Sequence, residues 1–245
     1  MTWGQANDAL DLLDDALATP GPVLEGGVYA GLLRAARADA LLALGRATHA
    51  LAVLDALGDR SVGQVPTARL RLLAGDPSHA HVLASRGLNS SLWRRDRTQL
   101  LLIDAAARTE LGDDEGAARC LSEALGQIEE NNDRRSLATI PRSVLQAQAR
   151  SLPQLRVFTA ELDDLGVEPT YPDSVDLVEL SPREHVVLQS LSAGRTLAET
   201  AAGEFVSVDT VKSQTRSLYA KLKVHNRRDL ILQAHRLGLA DDQPR

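Results

Sequence analysis

Cysteine occurs once in 245 residues, at Cys120. That excludes an intrachain disulfide framework and a cysteine-rich zinc site. Aromatic residues make up only 3% of the chain, so the core must be built from Ala, Leu and Val within the 44% apolar share. No apolar run is long enough to span a bilayer. The opening residues lack a basic stretch followed by an apolar one, so no secretory signal is expected, and a cytoplasmic setting is. The six histidines (His49, His79, His81, His185, His225, His235) show no metal-ligand spacing, and His79 and His81 diverge on a helix. Cys120 lies in an apolar helical stripe and reads as packing rather than as a nucleophile. No nucleophile has a base at a useful spacing. The expectation is therefore no enzyme, no cofactor and no metal.

Convincing period-two alternation is also missing. From Trp3 to about Leu165 the pattern is helical, with turn signals every fifteen to twenty residues. Gly4, Gly45, Gly75 and Gly112 are each followed five residues on by Ala9, Ala50, Ala80 and Ala117. Leu13, Leu54, Ala84 and Leu121 come four later, then Ala16, Leu57, Gly87 and Ala124 three later. Each glycine is expected to open a helix whose buried stripe starts with a small residue, which lets a neighbouring helix pack closely. Arg134, Arg135 and Arg150, near Asn131 and Asn132, are expected on a solvated face. Gly166 to Ser174 carries two prolines and few apolar residues and reads as a linker.

Four short helices are predicted beyond it. Ser181, Pro182 and Glu184 give an N-cap, a first-turn proline and a capping box, with Val187, Leu188 and Leu191 inward and Gly194 at the end. Thr196 and Glu199 form a second capping box. Ser207 caps a third helix, and Asp209 sits where the helix dipole favours negative charge. Val208, Val211, Thr215, Leu218 and Leu222 share its apolar face. Ser213, Arg216, Ser217 and Ala220 share the opposite face, flanked by Lys212 and Lys221. Asn226 starts a fourth helix with Leu230, Ile231, Ala234 and Leu237 inward and Gly238 past its end.

Charge is unevenly shared. The whole chain carries −6; residues 178–245 hold ten Lys/Arg and eight Asp/Glu, hence +2, which leaves −8 for residues 1–177. Between Ser207 and Arg228 six basic residues face Asp209 alone. A small, polar, cationic helix face suits a major groove, because small residues let the backbone approach and Lys and Arg supply phosphate and guanine contacts.

Residues 180–239 resemble the C-terminal DNA-binding domain of the LuxR family of bacterial transcription regulators. The resemblance rests on Leu180–Glu184, Leu188, Ala193–Gly194, Val206–Ser207, Thr210–Lys212, Lys221–Leu222, Val224, Arg227 and Ala234. It implies that Thr210 and Lys212 contact phosphate or base, and that Ser213 and Arg216 reach base edges. It also implies a dimer contact on the fourth helix, assigned here to Leu232, His235 and Arg236. Ser207, Ser217 and Lys221 complete the expected DNA-binding set. Gln214 stands where the family usually has His, Thr200 where it has an aliphatic residue, and Lys223 where Gly is common. Thr200 is expected to loosen a small core. The glycine–alanine pattern of the first two-thirds resembles tetratricopeptide repeats, although the first-helix aromatics of that repeat are missing.

The expected protein is all-α. A tetratricopeptide-like superhelix or helical bundle (1–165) serves as sensor, 166–178 is a linker, and 179–240 is a four-helix helix-turn-helix domain. Large members of the family place an ATPase before such parts, and no phosphate-loop motif is present here. Expected partners are duplex DNA, a second copy of the chain on DNA, RNA polymerase, and an effector or protein bound by the helical region. The alternative is a helical-repeat adaptor whose last domain contacts protein instead of a specific DNA sequence.

Overall fold

The computed structural model describes residues 3–18, 28–58, 61–90, 94–237 and 239–240. Gly238, expected past the last helix, lies outside them. Among the described residues all regular structure is helical and there is no strand, so the fold is all-α. No described helix is long and apolar enough to cross a membrane. The chain divides into two compact units, Met1–Asp176 and Leu177–Arg245.

The first unit contains α1 (Trp3–Ala18), α2 (Val28–Ala43), α3 (Ala47–Leu57), α4 (Gln64–Leu73), α5 (Pro77–Leu88), α6 (Arg94–Glu110) and α7 (Asp114–Asn131). A 3-10 turn (Arg134–Thr139), α8 (Arg142–Gln148) and α9 (Gln154–Asp164) follow. Three tight hairpins, α2–α3, α4–α5 and α6–α7, turn in the same way. Gly45, Gly75 and Gly112 have φ of 71°, 77° and 80°. Their N–H groups donate to Leu42, Leu72 and Thr109, and the next residue's N–H donates to Leu41, Arg71 and Arg108. This pattern satisfies carbonyls that the helix end leaves free, and its left-handed residue favours glycine. The glycines expected to open helices thus close the preceding ones, and the residue after each is the N-cap of the next. Asp76 and Asp113 cap by accepting from the His79 and Gly116 amides, whereas Arg46 makes no such bond.

Ala50, Ala80 and Ala117 are fully buried in these hairpins, as close helix approach requires. At Gly87 a Cβ would lie 2.5 Å from Leu100 Cδ1. The first copy of the pattern departs from the rest: Gly4 lies inside α1, and Ala9, Leu13 and Ala16 are only half-buried. α6 is the central helix, buried without a break from Thr98 to Ala107, and the core around it draws Leu121, Leu125 and Ile128 from α7 and Leu145, Leu155 and Leu162 from α8 and α9. Each such side chain contributes about 2 kcal/mol on burial.

Within that apolar helix sits Asp104, 2% exposed. Arg108 Nε donates to it at 3.0 Å and the Cys120 thiol at 3.3 Å, and His81 Nδ1 lies 2.5 Å away. Burial first, then Asp104 beside it, pushes the Cys120 thiol up to about 12, so it stays protonated and acts as a donor. Arg134 is less free than expected: its guanidinium pairs with Glu161 at 2.6 Å and lies over the Phe158 ring. Arg135 and Arg150 are exposed.

The stretch read as a linker is largely occupied. Thr170 N–H donates to Ala138 O at 2.8 Å and Val175 N–H to Leu73 O at 2.9 Å. Leu73 is the last residue of α4, whose carbonyl has no partner within its own helix. At the other end of the stretch, Val178 packs on the core of the second unit.

The second unit contains α10 (Pro182–Ser192), α11 (Leu197–Gly203), α12 (Val208–Lys221) and α13 (Arg227–Arg236). Both capping boxes form, at Ser181/Glu184 and Thr196/Glu199, and Ser207 and Asn226 cap α12 and α13. Val187, Leu188, Leu191, Val211, Leu218, Leu222, Leu230 and Ala234 close one core. Thr200 does not leave a polar gap there. It is 1% exposed, and its hydroxyl pairs with Ser190 Oγ at 2.8 Å and donates to Thr196 O at 2.8 Å. Val208, expected inward, is 39% exposed, because the first turn of α12 runs past the core. Ile231 and Leu237 are half-buried.

Candidate nucleic-acid interface

Helix α12 presents two faces. Val211, Thr215 and Leu218 are buried on one, and the Thr215 hydroxyl donates to Val211 O. Lys212, Ser213, Arg216 and Ala220 are exposed on the other. The helix starts firmly: Ser207 Oγ accepts from Thr210 N at 3.1 Å and pairs with the Thr210 hydroxyl at 2.8 Å.

The seven residues expected at DNA fall into three groups. Ser213 and Arg216 are exposed and make no hydrogen bond or ion pair with other described residues, so their polar atoms are available. Ser207, Thr210 and Lys212 are engaged locally; Lys212 Nζ reaches Asp209 at 3.1 Å in an exposed pair that water and salt readily replace. Ser217 and Lys221 are turned elsewhere. Ser217 Oγ donates to Glu184 Oε1 at 2.6 Å. Lys221 Nζ donates to Glu184 Oε2 at 2.7 Å and to Glu179 O at 2.9 Å. Both residues expected at the groove are thus engaged by Glu184, which is buried at 4% exposure and accepts from each.

Glu184 joins α10 to α12. Burial alone would raise its carboxyl. The hydrogen bonds from Lys221, Ser217 and Ser181 outweigh that and hold it at about 2. The capping-box spacing marks Glu184 as a cap, but nothing in the local pattern marks it as the anchor of the candidate reading helix.

Arg227 is a second anchor. Its Nη2 donates to Leu191 O at 2.7 Å and Arg195 O at 2.8 Å, closing the end of α10. Lys223, just past the C-terminal end of α12, and Arg228, in the first turn of α13, are further exposed cations. Lys223 has φ of 54°, as does Phe205 in the turn before α12, which is 96% exposed.

Of the residues expected at a dimer contact, Leu232 is 59% exposed, Arg236 is exposed and His235 is half-buried. Leu232 and Arg236 line a hollow of about 400 Å³ with Lys223, His225, Asp229 and Gln233.

Residues 178–234 match the family described as bacterial regulatory proteins, luxR family. The C-terminal unit is thus a LuxR-type helix-turn-helix domain, and such a domain supports a DNA-binding transcription regulator. No curated protein and no solved structure gives a significant match to the chain.

Proposed function

We propose, from a C-terminal unit of the LuxR type, that the chain is a sequence-specific transcription regulator whose helical unit receives an effector or a protein partner. The observation that carries this is the outward face of α12, where Ser213 and Arg216 are exposed and unbonded beside Lys212. A helix docked by phosphate contacts reads sequence through such free donors. Arg216 contacts a base edge, and Lys212, Ser207 and Thr210 contact the backbone. The protein acts as a dimer on two half-sites, with Leu232, His235 and Arg236 at the pairing face. The three glycine-turned hairpins support a tetratricopeptide-like arrangement of the helical unit, and the acidic balance of residues 1–177 keeps that unit off the phosphates.

The test is selection from random duplexes by the full chain at physiological salt. Enrichment of a paired motif is expected. Arg216→Ala should cost about 1–3 kcal/mol on the selected site and relax its specificity, whereas Lys212→Ala should weaken all sequences alike. Weak, uniform binding with no enrichment would favour the adaptor alternative.

A further inference from the structure

Residues 167–176 cross the helical unit in an irregular, extended path, held by backbone bonds at Thr170 and Val175 and by Arg142 Nη2 on Val167 O at 3.0 Å. Between those backbone bonds Tyr171 enters a polar site. Its ring lies 4.5 Å from the Arg69 guanidinium, and its hydroxyl accepts from Arg69 and donates to Asp39. Arg69 is 2% exposed. It pairs with Asp39 through Nη1 and donates to Gln99 Oε1 through Nη2 at 2.7 Å. Gln99 in turn donates to Ser136 Oγ at 3.2 Å, and Ser136 to Asp133 at 2.6 Å. A guanidinium fixed from behind, with a carboxylate acceptor beside it, is a receptor for an aromatic hydroxyl: the cation meets the ring and the hydroxyl oxygen, and the carboxylate takes the O–H.

We propose that residues 167–176 form a releasable strap, seated through Tyr171 in a phenol-recognition site made by Asp39 and Arg69. The rest of the strap is built to let go. Only Val167, at its start, packs on the core, and Glu168, Asp173, Ser174 and Asp176 are exposed. The seat is incompletely matched, since the buried Arg69 Nε has no hydrogen-bond partner among the described residues. A competing phenol in the seat releases the strap, and so does loss of Tyr171. Release frees the segment from its backbone bonds at Thr170 and Val175, so that residues 168–177 have a fully extended length of about 35 Å. On the regulator reading, which this consequence rests on, the seat sets the length of free chain that precedes the C-terminal unit.

The experiment is amide hydrogen exchange on the full chain, read at Thr170 and Val175 against core amides of α6 and α7. Tyr171→Ala should speed exchange at both strap amides at least tenfold and leave the core amides unchanged. Tyr171→Phe, which keeps the ring but loses the bond to Asp39, should fall between. p-Cresol at millimolar concentration should bind Tyr171→Ala, and the added substitution Asp39→Asn should abolish that binding. Strap amides within twofold of the unsubstituted chain would overturn the proposal. So would equal loss of protection in the core, because the segment would then be part of one cooperative unit. The exchange result needs no DNA. Failure of every form to select a duplex sequence would count against the regulator reading alone and leave the strap standing.

Discussion

Each unit of the molecule contains a buried carboxylate with donors from more than one helix, and the two differ in how they are built. In the helical unit Asp104 sits mid-helix in α6 and binds Arg108 of its own helix, His81 of α5 and Cys120 of α7. In the DNA-binding unit Glu184 sits in the first turn of α10 and binds the Ser181 amide, Ser217 and Lys221. Asp104 ties three packed helices across a large core. Glu184 is first a helix cap and only then a clamp on α12. The first unit thus depends on its network for stability, and the second uses its network to orient α12.

Removing the two carboxylates should separate these roles. Asp104→Ala should cost the larger amount, about 3 kcal/mol, since it opens a gap in the core and takes from half-buried Arg108, His81 and Cys120 their shared acceptor. Denaturant unfolding followed on the first unit measures it, and a loss under 1 kcal/mol would show that Asp104 is dispensable. Glu184→Ala should cost about 2 kcal/mol, because Lys221, at 38% side-chain exposure, can recover water. Its mark should be a loss of selective DNA binding in protein that remains folded. Asp104→Ala should show no such selective loss at temperatures where the protein stays folded.

The same pair sharpens under acid. The Glu184 carboxyl is held at about 2, well below its usual 4.5. Its contribution is therefore complete above pH about 4.5 and fades as pH falls toward 2. The lowering corresponds to about 3 kcal/mol at most. Unfolding of the second unit, followed between pH 6 and 2.5, should steepen below pH 4.5 in the natural chain. Glu184→Gln should lack that component. Identical pH curves for the two would remove Glu184 as its source.

How far these features were legible follows from their range along the chain. Ser181 with Glu184, Thr196 with Glu199, and Ser207 before Val208 are contacts three residues apart, and the sequence displays them directly. The Glu184–Lys221 clamp spans 37 residues and leaves no periodic trace. Lys221 and Ser217 read as groove residues because they are polar and near the outward face of α12, and their contact with Glu184 adds a structural tie that local spacing does not display. Asp104 was hidden by the apolar run around it, and its partners come from two other helices. The prolines and polar residues of 166–174 match a linker, and bonds such as Val175 N–H to Leu73 O use only backbone atoms, so they leave no mark on the sequence. The repeating glycines were visible, but their role was displaced by one step, since a glycine that closes one helix stands next to the residue that caps the following one.

The smallest expected effects concern those turns. Gly45, Gly75 and Gly112 meet the left-handed requirement without a side chain, and at Gly112 an added Cβ would touch nothing within 4 Å. Gly112→Ala should therefore report backbone strain alone, a loss of about 1 kcal/mol. Lys223 occupies the same backbone region, at 54°, after the reading helix. Lys223→Gly should shift the other way, with relief of strain offset by the greater freedom glycine gives the unfolded chain, for a net gain of about 0.5 kcal/mol. It also removes an exposed cation near the C-terminal end of α12, so duplex affinity should fall slightly and its salt slope should shrink by about one charge. Thermal unfolding and a salt titration of DNA binding on the same variant check both. Higher stability with weaker, less salt-dependent binding would mean that Lys223 is kept strained for its charge. Higher stability with unchanged binding would remove Lys223 from the interface and leave Lys212, Arg216 and Arg228 to carry it.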